Sequence, residues 1–303
     1  MTGAQLDLIY SSPHFSAPGP EIIDQKLKER ENLIYQEGVL IVKVAPQVVV
    51  KFGPSVTIHE AKNMIYVAKN TSVPVPTVFA CYTYGPIDRD VEDYGSLFDT
   101  YIFMSFIDGQ TLDTVWDSCS EHTKAAIAAQ LKSYMEEIRN IGDGSYIGSV
   151  DHGPVTDQIL SNHHTKGPFL SEEEFNKAII DAYEANFPKR HIRALLSGML
   201  FQNKHRIVFT HGDFRPRNIM VKDGKVTGII DWELSGWYPE YWEFVKSLYV
   251  WRWQNDWYDY LPEHHRPSWN SFLPVGQGVL RICSLQIGTR VFSRRSYPFQ
   301  HPP

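Results

Sequence analysis

THGDFRPRNIMVKDGKVTGIIDW, residues 210–232, is the stretch on which the fold turns. Asp213 is followed after four residues by Asn218, and a second acid, Asp231, closes an apolar run. Residues 207–209 and 219–221 are short apolar segments, and residues 226–230 form a further β-like run after the turn dipeptide Asp223-Gly224. The pattern predicts loop, strand, tight turn, strand. Such a hairpin carries Asp231 back toward Asn218, so that Asp213, Asn218 and Asp231 face one small volume.

An Asn carbonyl and an Asp carboxylate are hard oxygen donors. They suit Mg²⁺, which also takes phosphate oxygens and keeps waters. Asp213 is left to accept a proton, or a hydrogen bond, from an attacking hydroxyl. That is the loop geometry of phosphoryl transfer, where the protein supplies positioned oxygens and neutralised charge. Asp and Asn are common turn residues, so none of the three carries the reading alone. Their order and spacing, with His211-Gly212 ahead, carry it.

The rest of the composition is compatible. The chain has 303 residues, enough for one large domain or two modest ones, and 43% of them are hydrophobic. A formal charge of −6 gives no reason to expect nucleic acid or an anionic membrane surface as partner. Three cysteines without a CxxC spacing argue against a disulfide framework and a structural zinc site. The first residues, MTGAQLDLIYSSPHF, lack a basic region followed by an apolar run, and no apolar stretch reaches bilayer length. The expectation is a cytosolic protein.

Outward from the hairpin, the elements segregate. Residues 1–20 read as a loose lead-in and residues 21–36 as a short amphipathic helix. The β-branched runs 39–44 and 48–52 flank Ala-Pro-Gln and predict a hairpin, and residues 57–70 read as a helix. Strands are expected at 77–84 and 100–106, with an acidic loop between them holding Asp88, Asp90, Glu92 and Asp93. Beyond a boundary near residues 105–109, much of the chain to about residue 202 reads as helical. Ser120 is a cap for 121–140, Ser171 and Glu174 have capping-box spacing for 172–186, and a helical pattern resumes over 190–201. Strands first and helices later predict an α+β protein with two lobes.

HGDFRPRN followed by IIDWE resembles the aminoglycoside phosphotransferase and choline-kinase-like superfamily. Its signature is HGD, four residues, Asn, then a strand ending in Asp. The resemblance spans roughly residues 40–250 and implies a bilobal, protein-kinase-like fold. In it, a small N-terminal β-sheet lobe with one main helix, residues 1–106, precedes a larger, mostly helical C-terminal lobe, residues 107–303. It implies transfer of the ATP γ-phosphate to the hydroxyl of a small molecule. Asp213 would be the catalytic base, Asn218 and Asp231 the magnesium ligands, and His211 a support for the loop. Gly212 in place of Arg separates the motif from the HRD of protein kinases.

A kinase also needs a strand lysine and a helix glutamate as a phosphate clamp. Lys51 ends VVVK and Glu60 lies in IHEAKNM; Lys43, on the preceding strand, is the rival lysine. YIFMSFIDGQTL resembles the segment joining the lobes, and the resemblance implies adenine contacts from the backbone of Met104, Ser105 and Phe106. Glu243 stands where the superfamily has an acid bracing the catalytic loop. Glu233 is either a supporting group of the metal site or merely exposed. Arg215 and Arg217 either contact phosphate or an acidic substrate, or pack against nearby carboxylates.

No glycine-rich phosphate loop precedes Lys51, since Gly38 stands alone. That departure motivates an alternative, a pseudokinase or nucleotide-binding module without turnover; a protein kinase is a further rival. Residues 232–260 hold six of the eight tryptophans, read mainly as core rather than as a cage for a cation. Neither the acceptor nor the oligomeric state is legible.

Overall fold

The computed structural model describes residues 3–260 apart from 30–32, 37–38, 143, 162, 187–192, 194–196, 199, 201–204, 249–254 and 258. Six antiparallel strands open the chain: β1 (Gln5–Ser11), β2 (Leu33–Gln36), β3 (Leu40–Ala45), β4 (Val48–Gly53), β5 (Val78–Gly85) and β6 (Asp99–Ser105). Their spatial order is β1-β5-β6-β4-β3-β2. The VVVKF run of β4 is buried on both faces because the strand is central. Val50 and Phe52 meet Tyr82, Tyr101 and Phe103 under Ile23 of helix α1 (Pro20–Lys28). Val49 points the other way and joins Met64 and Val67 of α2 (Ile58–Asn70) in the main core. By strand alternation Lys51 shares that second face.

Two expectations for the first lobe are corrected. The lead-in contains β1, which pairs along β5 from Gln5↔Gly85 to Ser11↔Ala80. The helix expected over 21–36 stops at Lys28, and Leu33–Gln36 instead extends the sheet beside β3. Pairing with distant strands outweighs the local helical pattern in both places. The acidic loop holds one helical turn, α3 (Val91–Tyr94), capped by Asp90, which accepts the Glu92 N–H at 2.8 Å. Gly38 lies outside the described residues.

Beyond β6 come β7 (Gln110–Thr111), the single turn α4 (Leu112–Val115), and the long helices α5 (Glu121–Arg139) and α6 (Glu172–Asn186). The expected caps form. Ser120 Oγ accepts the Thr123 N–H at 3.2 Å, and Ser171 Oγ accepts that of Glu174 at 3.2 Å. Between the two helices no described residue is helical, contrary to expectation; Ile147 and Phe169 there bridge as extended chain. Much of the helical pattern expected over 190–201 lies outside the described residues.

Strands β8 (Ile207–Thr210), β9 (Ile219–Lys222), β10 (Lys225–Ile229) and β11 (Gly236–Pro239) build two small sheets, β10-β9-β7 and β11-β8. Asp223 and Gly224 both take positive φ, 50° and 72°, the turn that suits a two-residue hairpin. Ile127, Leu131, Met135 and Ile138 line one face of α5 and pack on Phe209, Ile219, Ile229 and Trp232. A second core joins α6, through Phe175, Ile179 and Tyr183, to Tyr238, Tyr241 and Trp242. Trp232, Trp237, Trp242 and Trp257 are buried, which bears out the core reading for these four; Trp251 and Trp253 lie outside the described residues. Among the described residues no helix is long and apolar enough to cross a membrane.

Candidate active site

The loop between β8 and β9 is held mainly through its backbone. Glu243 opens helix α7 (Trp242–Leu248) and is 1% exposed. Its carboxylate accepts the N–H of His211 at 2.6 Å, that of Gly212 at 3.1 Å, and that of Phe214. Burial pushes its pKa up to about 7, against the opposing pull of these N–H groups and Arg139. The His211 ring is also fully buried. Its Nδ1 accepts the Asp213 N–H at 3.2 Å, so Nε2 carries the proton and donates to the Ile230 carbonyl at 3.0 Å. Burial drives its pKa down to about 4, which keeps this neutral tautomer. Gly212 has φ 81°, and a Cβ there would stand 2.5 Å from the Leu234 carbonyl oxygen. Glycine is therefore dictated between His211 and Asp213.

This frame presents Asp213, whose side chain is 17% exposed. Its Oδ2 receives Asn218 Nδ2 at 2.8 Å and Arg215 Nη2 at 2.7 Å. Asn218 Nδ2 also donates to the Asp213 carbonyl at 2.9 Å. Burial raises the Asp213 pKa to about 6, although Arg215 works against it. Asn218 ends the 3₁₀ turn Pro216–Asn218, and its own carbonyl accepts the Ile230 N–H at 2.9 Å. That bond brings the β10 end, and Asp231, beside Asn218. With Nδ2 committed to Asp213, the Asn218 side chain turns its Oδ1 away from that residue.

Asp231 adopts the left-handed region, φ 67° and ψ 58°, ahead of a second 3₁₀ turn, Trp232–Leu234. Few residues other than glycine and Asn/Asp accept that backbone. Lys51 Nζ lies 2.8 Å from Asp231 Oδ1 and 2.9 Å from Glu60 Oε1. Burial opposes the lysine charge, yet the two carboxylates outweigh it and hold Lys51 protonated far above the usual range. Burial likewise acts to raise Asp231, but Lys51 prevails and its pKa falls; fully buried Glu60 is raised. Asn63 of α2 adds a tie by donating to the carbonyls of Trp232, at 2.8 Å, and Ser235, at 3.1 Å.

The structure thus brings Lys51, Glu60 and Asp231 together, and Asp213 and Asn218 beside them, at the open end of one hairpin. Lys43 is not in the cluster. It lies over the Phe106 ring at 4.3 Å. Met104 and Ser105 end β6, with Met104 paired to both β4 and β5, and the N–H groups of Ser105 and Phe106 already donate to the carbonyls of Thr77, at 2.9 Å, and Gln47, at 3.0 Å.

Sequence reasoning left Glu233 and Arg215 undecided. Ligand atoms of Glu233, Asp231 and Glu60 lie within 4.8 Å of one another. Burial, with Asp231 adding to it, raises the Glu233 pKa to about 7. The only sequence signal was its place two residues after Asp231; the left-handed residue and the turn after it fold the two carboxylates together. Two carboxylates and an amide oxygen are the donor set Mg²⁺ takes, so these side chains fit that ion.

A strand-rich first lobe, a helical second lobe and this loop are the architecture of the protein-kinase-like phosphotransferases. The chain belongs to the phosphotransferase enzyme family (APH), whose family model matches residues 33–272. Several solved structures share the fold. The streptomycin–ATP complex of APH(2")-IIa is 13% identical, with 93% of each chain covered and a TM-score of 0.57. A putative fructosamine-3-kinase from Haemophilus somnus 129PT is 13% identical over 91% of this chain and 92% of that one, with a TM-score of 0.58. A thermostable APH(4)-Ia mutant in complex with ADP and hygromycin B is 18% identical over 88% and 89%, with a TM-score of 0.53. No curated protein matches the chain in sequence.

Proposed function

We propose that this phosphotransferase moves the γ-phosphate of ATP to a hydroxyl group of a small molecule in a Mg²⁺-dependent reaction. The observation that carries the reading is the pairing of two constellations on one hairpin: Asp213 held by Asn218, and Asp231 held by Lys51, which Glu60 also binds. Structural relatives solved with ADP and ATP support the choice of nucleotide. Residues 1–106 form the nucleotide-binding lobe and residues 107–303 the catalytic and substrate lobe. A cytosolic setting agrees with ATP as phosphoryl donor.

Asp213 orients the acceptor hydroxyl and takes its proton as the oxygen attacks. Its raised pKa makes it a better base than an exposed aspartate, and the Asn218 amide fixes its plane. Lys51, steered by Glu60, binds the nucleotide phosphates. Asn218 Oδ1, Asp231 and Glu233 would hold Mg²⁺, which when bound neutralises charge on the phosphate oxygens. The carbonyl oxygens of Met104, Ser105 and Phe106 are the groups of that segment suited to the adenine amino group, because two of its N–H groups are occupied.

The test is a thermal-shift titration with ATP and ADP, with and without Mg²⁺, on wild type and Asp231→Ala. ADP release over a panel of hydroxyl compounds follows. A ligand that binds only the folded state must raise the melting temperature. A Mg²⁺-dependent shift lost in Asp231→Ala, with turnover on a panel member, is the expected outcome. Absence of any shift at millimolar nucleotide overturns the reading.

A further inference from the structure

The exposed apolar surface is gathered at one end of the molecule. Of the eight large hydrophobic side chains exposed among the described residues, seven lie on β1, α1 and the loop between β5 and β6; Leu170 is the exception. Among the described strands β1 stands at the end of the six-stranded sheet, with β5 on one side and no strand on the other. Half of the backbone N–H and C=O groups of such an edge point outward and form a template for another strand. The usual guards are missing from Gln5–Ser11, which holds no proline and no lysine and has Asp7 as its single charge. The pairing with β5 shifts register between Leu8 and Tyr10, so Gln5–Leu8 is the regular part of the edge.

Leu6 pairs with Tyr84 and Leu8 with Tyr82. Both leucines therefore lie on the face that Ile23 of α1 covers at Val50, Tyr82 and Phe103. That face is core at β4 and β6 and runs out to solvent at β1, where Leu6 is 45% and Leu8 55% exposed. A further strand beside β1 would continue the sheet and cover both leucines.

Charge decides which strand. Residues 3–29 and 86–99 hold nine acids and three bases. Of the bases, Arg89 is paired with Asp99 at 2.8 Å and Lys26 with Glu29 at 3.2 Å. Asp7 is exposed and, by alternation, lies on the face opposite Leu6 and Leu8. The loop that leaves Gly85, the partner of Gln5, adds exposed Asp88, Asp90, Glu92 and Asp93. A second copy paired edge to edge would bring these same acids together, and like charges across a strand pair are destabilising. A basic segment is drawn in instead.

We propose that the free edge of β1 docks an extended basic segment of a partner protein. The segment adds to the sheet as a strand, with apolar side chains over Leu6 and Leu8 and lysine or arginine on the Asp7 face. Main-chain hydrogen bonds hold such a strand, and its alternate side chains select it. Strands β5 and β6 separate β1 from β4, which carries Lys51, so the dock is remote from the candidate active site. It does not depend on the phosphotransferase reading.

The experiment uses the full chain and a short fluorescent peptide of alternating lysine and valine, followed by anisotropy. The controls are a glutamate–valine peptide and a lysine–valine peptide N-methylated at alternate residues, which keeps the charge and blocks strand pairing. Wild type is expected to bind the lysine peptide and neither control, with slower hydrogen exchange in β1 on binding. Leu8→Lys should weaken binding by about tenfold or more. Asp7→Lys should shift preference toward the glutamate peptide, a gain that a misfolded variant would not show. Both variants keep the wild-type melting temperature, since both side chains are exposed. Equal binding of the N-methylated peptide reduces the site to charge attraction and overturns the proposal. So does unchanged affinity in Leu8→Lys, or no binding of the lysine peptide to wild type. A wild-type dimer that Leu8→Lys dissolves makes a second copy the occupant and likewise overturns it.

Discussion

Asn218 Nδ2 donates to both the carbonyl oxygen and Oδ2 of Asp213, at 2.9 and 2.8 Å. One amide therefore sets both the backbone and the carboxylate of the candidate base, and its oxygen is free for metal. Replacing Asn218 by Ala removes a positioning donor and the proposed metal ligand together. We expect ADP release to fall by roughly 100-fold or more, with the melting temperature of the nucleotide-free protein little changed. A variant with near-wild-type turnover would show that Asp213 is positioned by other means.

The Lys51 ammonium is held between Glu60 and Asp231, with its side chain 7% exposed. Lys51→Met strands a buried carboxylate, Glu60. The expected loss is about 3–5 kcal/mol in urea unfolding, together with loss of the nucleotide-induced shift. Adding Glu60→Gln should recover part of the stability and none of the nucleotide response. If the two substitutions are simply additive, the pair is not coupled as the geometry indicates.

Gly212 offers a test of the backbone. Its φ of 81° and the nearby Leu234 carbonyl leave no room for a methyl group. Gly212→Ala should cost about 1–3 kcal/mol and depress turnover by displacing Asp213. A variant as stable and as active as wild type would contradict the close approach of these segments.

The His211 pKa is about 4 in the fold, against an ordinary value of 6.5. As pH falls, the unfolded chain takes up this proton first. The neutral ring therefore contributes its full stability above pH 6.5, and the contribution is lost as pH drops toward 4. Asp213 and Glu243 have raised pKa values and push the opposite way over the acid range, so wild type alone does not isolate the effect. The stability difference between wild type and His211→Gln does. It should shrink on acidification from pH 7 to 4 by on the order of 3 kcal/mol. A constant difference would refute the assignment of the neutral tautomer.

Much of this site is legible in the chain because it is local. Asp213, Asn218 and Asp231 lie on one hairpin whose turn, Asp223-Gly224, is written in two residues with positive φ. The β3–β4 hairpin, α2 and the caps at Ser120 and Ser171 are local in the same sense. Strand β1 was not legible, since its partner residues begin some seventy positions away at Ala80. Nor was the choice between Lys51 and Lys43. Both carry strand alternation, and only the packing of α2 against the sheet puts Glu60 beside one of them.

The sequence by itself determined the class of chemistry, through the order His-Gly-Asp, Asn, Asp and the strands that space them. The tertiary structure decided which charges meet. It buried Glu243 under the loop, folded Glu233 beside Asp231 and Glu60, and laid Arg215 on Asp213. The physical reason is range. Turn and strand preferences act over a few residues, whereas burial and ion pairing depend on which distant segments exclude water from the same space.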